Sequence, residues 1–170
     1  MAVHHTIIET GIGELTLVAD DDALTGIYYP QHWHKPTMEG FGPLVEASTD
    51  PLFGRVAEQF DEYLAGRRTS FEIPTAAVGD AFQKKVWALL DEIPYGETTT
   101  YGALAEKLGD RSLARIVGQA VGRNPLSVIV PCHRVVGSDG SLTGYAGGLE
   151  RKRLLLELEE PDEARAEKLF

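Results

Sequence analysis

Cys132 stands between Pro131 and His133 in the run Val128, Ile129, Val130, Pro131, Cys132, His133, Arg134, Val135, Val136, and it is the one cysteine of the chain. No internal disulfide can form, so the thiol is a buried structural group, an accidental one or a nucleophile. Its neighbours bear on the last role. A thiol with a pKa of about 8.5 is mostly protonated at neutral pH, and a nearby histidine or positive charge raises the thiolate fraction. His133 supplies a base and Arg134 a cation. Pro131 fixes its own backbone and restricts Val130, which predicts an apolar strand stopped at a fixed turn and a second apolar run leaving it. Adjacent residues of a strand face opposite ways, so His133 serves Cys132 only through a turn or a bridging water.

The elements that must hold this thiol come from a chain of 170 residues, 43% hydrophobic, enough for one domain or two small ones. The N-terminus has no basic region followed by an apolar run, and no stretch approaches the ~20 apolar residues of a membrane span. A soluble cytoplasmic protein with a reduced thiol and no membrane partner is expected. The net charge of -10 is unevenly spread. Residues 1–79 carry 4 basic and 12 acidic side chains, residues 80–156 carry 10 and 8, and residues 157–170 carry 2 and 6. The acid lies outside the segment holding the cysteine, so total charge does not exclude a nucleic-acid partner there, though it favours modest, salt-sensitive affinity.

Residues 6–10, 14–18 and 23–28 alternate apolar and polar and are broken by Gly11–Gly13 and by three aspartates, the pattern of an antiparallel meander. Residues 30–48 read as loop. A metal site on His4, His5, His32 and His34 is disfavoured, because the segment offers no cysteine and the spacing fits no closed zinc site; no cofactor is expected. From Pro51 the period becomes helical, with Asp50 as N-cap and Gly66 as the stop. Residues 71–73 are a candidate last strand and 74–80 a linker, dividing the chain into 1–79 and 80–170. Beyond it, one helix carries Phe82 to Ile93, Thr100 caps a second, and Ser112 caps a third holding Leu113 to Val121. Two short helices joined by a tight Gly-containing turn form a helix-turn-helix pattern. Arg115 lies in the first turn of the last helix, where a cation opposes the helix dipole.

PCHRVV, preceded by Asn124 and Pro125 and followed by Gly144, Tyr145, Ala146, Gly147 and Gly148, resembles the active-site region of the O6-alkylguanine-DNA alkyltransferases, and the resemblance runs from about residue 82 to 159. It implies an α+β fold: an N-terminal ribonuclease H-like antiparallel sheet with a packed helix, and a mostly helical C-terminal domain with a winged-helix-like helix-turn-helix and the active-site cysteine. It implies direct, irreversible, single-turnover transfer of an alkyl group from O6-alkylguanine, and by extension O4-alkylthymine, to Cys132 in double-stranded DNA bound through the minor groove. A monomer in solution is expected, with cooperativity on DNA left open.

The roles the resemblance implies follow from the chemistry. O6 lies inside a paired duplex, so the base must be rotated out before a sulfur can attack its alkyl carbon. Arg115 would fill the stack the base has left. His133 would activate Cys132 through a water, and Glu159 would orient the imidazole. Tyr101 would donate to guanine N3, and Asn124 would hold the turn bearing Cys132. Val135 and Cys132 would offer carbonyls to the 2-amino group, Ala146 an N–H to O6, and Tyr145 a wall beside the alkyl group, with Gly147 and Gly148 permitting close approach. Ala146 replaces a hydroxyl residue, and Ser127 a pocket-lining proline, found in some members. Two readings from other classes stay open on the sequence: a module that binds alkylated DNA without repairing it, and a cysteine hydrolase using Cys132 and His133.

Overall fold

The computed structural model describes residues 3–32 and 38–160. Strands β1 (Val3–Thr10), β2 (Gly13–Asp20) and β3 (Ala23–Tyr28) form the antiparallel meander in the order β1-β2-β3. The first turn is closed by Thr10, whose hydroxyl donates to Gly13 O at 2.7 Å and accepts from Ile12 N. At the second, Asp21 takes a left-handed backbone (φ 53°), a conformation that short polar side chains tolerate best after glycine. β1 starts earlier than the alternation predicts because Val3, His4 and His5 already pair with Asp20, Ala19 and Val18 of β2; on its other edge the His5 backbone accepts from Val45 N and donates to Pro43 O.

Helix α1 (Pro51–Leu64) begins where its signals place it. The Asp50 carboxylate accepts from Leu52 N and Phe53 N at 3.0 and 3.1 Å, and Gly66 (φ 79°) ends the run. Its buried face, including Phe53, Val56, Phe60 and Tyr63, shares one core with Leu15, Leu17 and Ala19 of β2. Residues 71–73 do not form the expected strand. Phe71 instead turns its ring onto Phe60 and Tyr63, and only one bridge, Leu24 to Thr75, reaches the sheet. Pro74 has no N–H to give a ladder.

The second half is helical. A full capping box between Asp80 and Gln83 starts α2 (Ala81–Asp91). The two-residue strand β4 (Thr99–Thr100) leads into α3 (Tyr101–Lys107), capped by Thr100. The next cap is Asp110 rather than Ser112: its carboxylate accepts the Ser112 amide at 2.9 Å, one single 3₁₀ turn intervenes, and α4 (Ala114–Gly122) follows without a side-chain cap of its own. Trp87 Nε1 donates to Ala120 O at 2.8 Å and ties α2 to α4. β5 (Val135–Val136) pairs in parallel with β4, and α5 (Leu149–Glu159) closes the described chain.

The strand expected over residues 128–130 is also absent. Pro125 and Pro131 bracket this stretch, Val128 adopts φ 75°, and isolated bridges replace a ladder. A β-branched residue there is strained, which surrounding structure must over-determine. Ile27 N of β3 supplies part of that hold by donating to Pro125 O at 2.7 Å. A single buried cluster runs from Ile8 of β1 through Val117 and Cys132 to Leu155 of α5, so the sheet and the helical half share one core.

Asp50 both caps α1 and accepts from His4 Nε2 at 2.9 Å. Asp50→Ala should therefore lower stability by about 1 kcal/mol, read as a fall of roughly 2–4 °C in a thermal melt.

Candidate active site

After Pro131 the backbone makes one 3₁₀ turn, Cys132–Arg134, closed by Arg134 N donating to Pro131 O at 3.1 Å. The turn, not a strand, removes the alternation that would have separated neighbours, and Cys132, His133 and Arg134 are all buried. Asn124 shapes the approach: its Nδ2 donates to Val130 O at 2.8 Å and its Oδ1 accepts from Leu126 N at 3.0 Å. Burial pushes the Cys132 thiol up, while a hydrogen bond from Asn124 and the charge of Lys152 pull it back. The cation acting on the sulfur is thus Lys152. Arg134 is turned away and does not serve the thiol, contrary to the sequence expectation.

Arg134 faces Glu159, the last residue of α5. The carboxylate accepts from Arg134 Nε at 2.7 Å and Nη2 at 3.0 Å, from His133 Nε2 at 2.8 Å, and from the Tyr63 hydroxyl of α1. Arg134 Nη1 donates to Ile93 O at 2.6 Å. Burial alone would push Glu159 up, but bonds from His133, Arg134 and Tyr63 outweigh it and hold the carboxyl at about 2. An ionised carboxylate only accepts, so His133 Nε2 must carry its proton. Burial also holds His133 below its ordinary 6.5 despite Glu159. The ring is then neutral at pH 7 and Nδ1 is its basic atom. Nδ1 is buried and has no hydrogen-bond partner among the described residues.

On the other side of Cys132 lies the loop 143–148. The Tyr101 hydroxyl, at the start of α3, is 2.8 Å from Thr143 Oγ1, and burial raises its pKa, so it remains a phenol able to donate. Tyr145 and Ala146 are buried, and the Ala146 amide makes no hydrogen bond among the described residues. Lys152 is fully buried and donates to Thr143 O at 3.1 Å and Gly144 O at 3.4 Å; desolvation brings its ammonium down to about 8. Gly148 has φ 94°. Val135 is buried, and the Cys132 carbonyl already accepts from Val135 N, leaving its second lone pair. Ser127 is fully buried and its hydroxyl has no partner among the described residues.

Arg115 stands apart from this cluster, exposed on α4 beside the half-exposed Ile116, with no ion pair among the described residues. The histidines of the N-terminal half do not converge: His4 binds Asp50, His5 Nδ1 binds Gly42 O, and His32 Nδ1 accepts from Tyr29 N. His34 lies outside the described residues, among which no group of three or more potential metal ligands is found. Sequence reading missed Tyr63, whose place on the apolar face of a helix disguised it, and Lys152, one of several cations at the start of α5. It also missed Tyr29, whose hydroxyl meets that of Tyr145.

Two family models cover the chain: the ribonuclease-like domain of 6-O-methylguanine DNA methyltransferase over residues 3–77 and its DNA-binding domain over residues 81–161. Proteins named methylated-DNA--protein-cysteine methyltransferase from Mycobacterium bovis and Methanosarcina acetivorans are each 42% identical to it. The first match covers 92% of both chains, the second 92% of this chain and 98% of the relative. The Mycobacterium tuberculosis OGT solved in complex with DNA superposes with a TM-score of 0.84 at 43% identity over 92% of each chain.

Glu159 stabilises the fold only while ionised. Its pKa is about 2 here against an ordinary 4.5, so its contribution is full above pH 4.5 and is lost as pH falls toward 2. The depressed His133 adds to the same slope from pH 6.5 downward. Glu159→Gln should cost about 3 kcal/mol at pH 7, because Arg134 is left buried without its anion, and should flatten acid unfolding followed by circular dichroism between pH 4.5 and 2.

Proposed function

Because the chain belongs to the 6-O-methylguanine DNA methyltransferase family, we propose that it repairs DNA by transferring the alkyl group of O6-alkylguanine, and of O4-alkylthymine, directly and once to Cys132. The observation that carries this reading is a lone buried cysteine followed, on the same buried 3₁₀ turn, by a neutral histidine. The Nε2–H of that histidine is fixed on an ionised Glu159, so Nδ1 is left as the base. The thiol proton passes through one water to His133 Nδ1, and the imidazolium so formed is balanced by Glu159. Lys152 supports the developing thiolate. The sulfur attacks the alkyl carbon in line: the S–C bond forms, the O6–C bond breaks, and its electron pair leaves on the guanine.

Guanine accepts a hydrogen bond at N3 from Tyr101, a phenol in the resting site, and then its proton; the phenolate so formed regains a proton through solvent as the His133 imidazolium releases the one taken from the thiol. The free Ala146 amide is the donor to O6, and the carbonyls of Cys132 and Val135 take the 2-amino group. Asn124 holds the turn through its two backbone bonds. The resulting thioether is not hydrolysed under mild conditions, so each molecule acts once. We place the duplex against α4 with its minor groove, where exposed Arg115 enters the gap left by the rotated base and replaces the lost stacking. Groove contacts of this kind need no sequence reading, which suits a lesion that occurs anywhere.

Intact mass and peptide mapping after incubation with a duplex holding one O6-methylguanine should find one methyl on the Cys132 peptide, saturating at one per protein. Cys132→Ser should bind the duplex without any mass change. Binding by the native protein without methylation would sink the transfer reading in favour of a recognition module. Turnover of a small ester or amide with indifference to DNA would favour a hydrolase. Arg115→Ala should slow repair in duplex by about tenfold or more, a loss on the scale of a base step left unstacked, with a much smaller effect on free O6-benzylguanine. Equal losses on the two substrates would remove the wedge.

A further inference from the structure

The loop 143–148 is anchored in two different ways. Its backbone is held by cations of α5: Lys152 Nζ on the carbonyls of Thr143 and Gly144, and Arg151 Nη1 on Gly147 O at 3.0 Å. The ring of Tyr145 is held from the far side of the molecule. Its hydroxyl lies 2.7 Å from that of Tyr29, the residue that follows β3, and both side chains are buried. This is the sole hydrogen bond of the Tyr145 hydroxyl among the described residues.

Tyr29 is itself firmly seated. Its ring lies beneath the Arg151 guanidinium at 4.8 Å and stacks on His32 with centroids 5.8 Å apart. Arg151 Nε donates in turn to Ile12 O in the first hairpin turn at 3.0 Å. Gly147 permits this arrangement, since a Cβ at that position would come within 2.4 Å of the Tyr29 ring. The cations of α5 fix the loop backbone, and the far end of the Tyr145 side chain is fixed by its contacts with Tyr29. Both hydroxyls are close enough to Cys132 to interact with it electrostatically.

We propose that Tyr29 is a specificity-determining residue of the transfer reaction: by its hydrogen bond it fixes Tyr145 as the wall beside the departing alkyl group and so limits the size of group that reaches Cys132. The inference rests on the alkyl-transfer reading. Tyr29 acts through Tyr145 and is a positioning residue. The ring of Tyr145 also packs edge-on against that of Tyr29, with centroids 5.8 Å apart, but its hydroxyl end is held by one neutral hydrogen bond; that end yields when the bond is removed, and the yielding favours long groups that press on it over a methyl that does not.

The test compares single-turnover transfer from O6-butylguanine and O6-methylguanine in the same duplex. Tyr29→Phe keeps the ring against Gly147 and beneath Arg151 and deletes only the hydroxyl. The butyl-to-methyl rate ratio should rise about fivefold, the scale of one neutral hydrogen bond. Tyr145→Phe should raise it to the same extent, and the double variant no further, because both remove one interaction. A purely structural role would slow both substrates in parallel, and a ratio unchanged from the native value in either variant overturns the proposal, as does an additive double variant. A native protein that transfers neither group overturns the reaction and this inference with it. A native protein that transfers both, with variants that keep its ratio, overturns the role of Tyr29 alone.

Discussion

A carboxylate buried at the end of α5 can keep its charge only if other groups replace the water it has lost. Glu159 recruits three side chains from two places in the chain: Tyr63 from α1, and His133 and Arg134 from the turn after Pro131. Removing two charges from water costs several kcal/mol per ion, and the return comes only when nearly every lone pair is used, as here with four bonds on one carboxylate. The arrangement is cooperative in a geometric sense. Arg134 spans from Glu159 to the carbonyl of Ile93, so the end of α2, the cysteine turn and α5 take their places together. Tyr63 draws in the helix that covers the N-terminal sheet.

The same carboxylate decides chemistry two bonds away. A neutral imidazole has one N–H, and Glu159 claims it, so the lone pair must be at Nδ1. Burial then holds that ring neutral at physiological pH and keeps the thiol protonated, with Lys152 and Asn124 tempering the second effect. The resting site is therefore a thiol and a neutral base rather than a preformed ion pair, a state that a buried, weakly solvated pocket favours. Charge separation is deferred until a substrate is present to use it.

The N-terminal half is more than a support. Its sheet reaches the cysteine segment by the bond from Ile27 to Pro125, its helix reaches Glu159 through Tyr63, and its last strand delivers Tyr29 to Tyr145. The first and the last of these contacts land on irregular stretches that cannot hold themselves by a ladder. Val128 in a left-handed conformation and the glycine-rich loop 143–148 are the clearest cases. Irregular backbone beside a reacting atom is stable only when other elements bind it from outside.

What the sequence determined by itself was local. Alternation marked the three strands and Asp50 and Pro51 marked the start of α1, because turns, caps and periodicity depend on residues within a few positions; the string around Cys132 singled that thiol out as the candidate nucleophile through its resemblance to a known active-site region. Short-range reading failed where a local signal had two satisfiable outcomes. Residues 71–73 have strand-forming types but spend Phe71 on the aromatic core; residues 128–130 are apolar yet lie between two prolines; and the cap before α4 went to Asp110, two residues ahead of Ser112. Only the tertiary structure decided that Arg134 belongs to Glu159 and Lys152 to the thiol, and that Tyr63 and Tyr29 reach the site across 96 and 116 residues. The sequence pattern of a buried tyrosine on an apolar helix face is the same whether its hydroxyl meets a distant carboxylate or not. That partner is selected by the fold as a whole, through the requirement that each buried polar group find one.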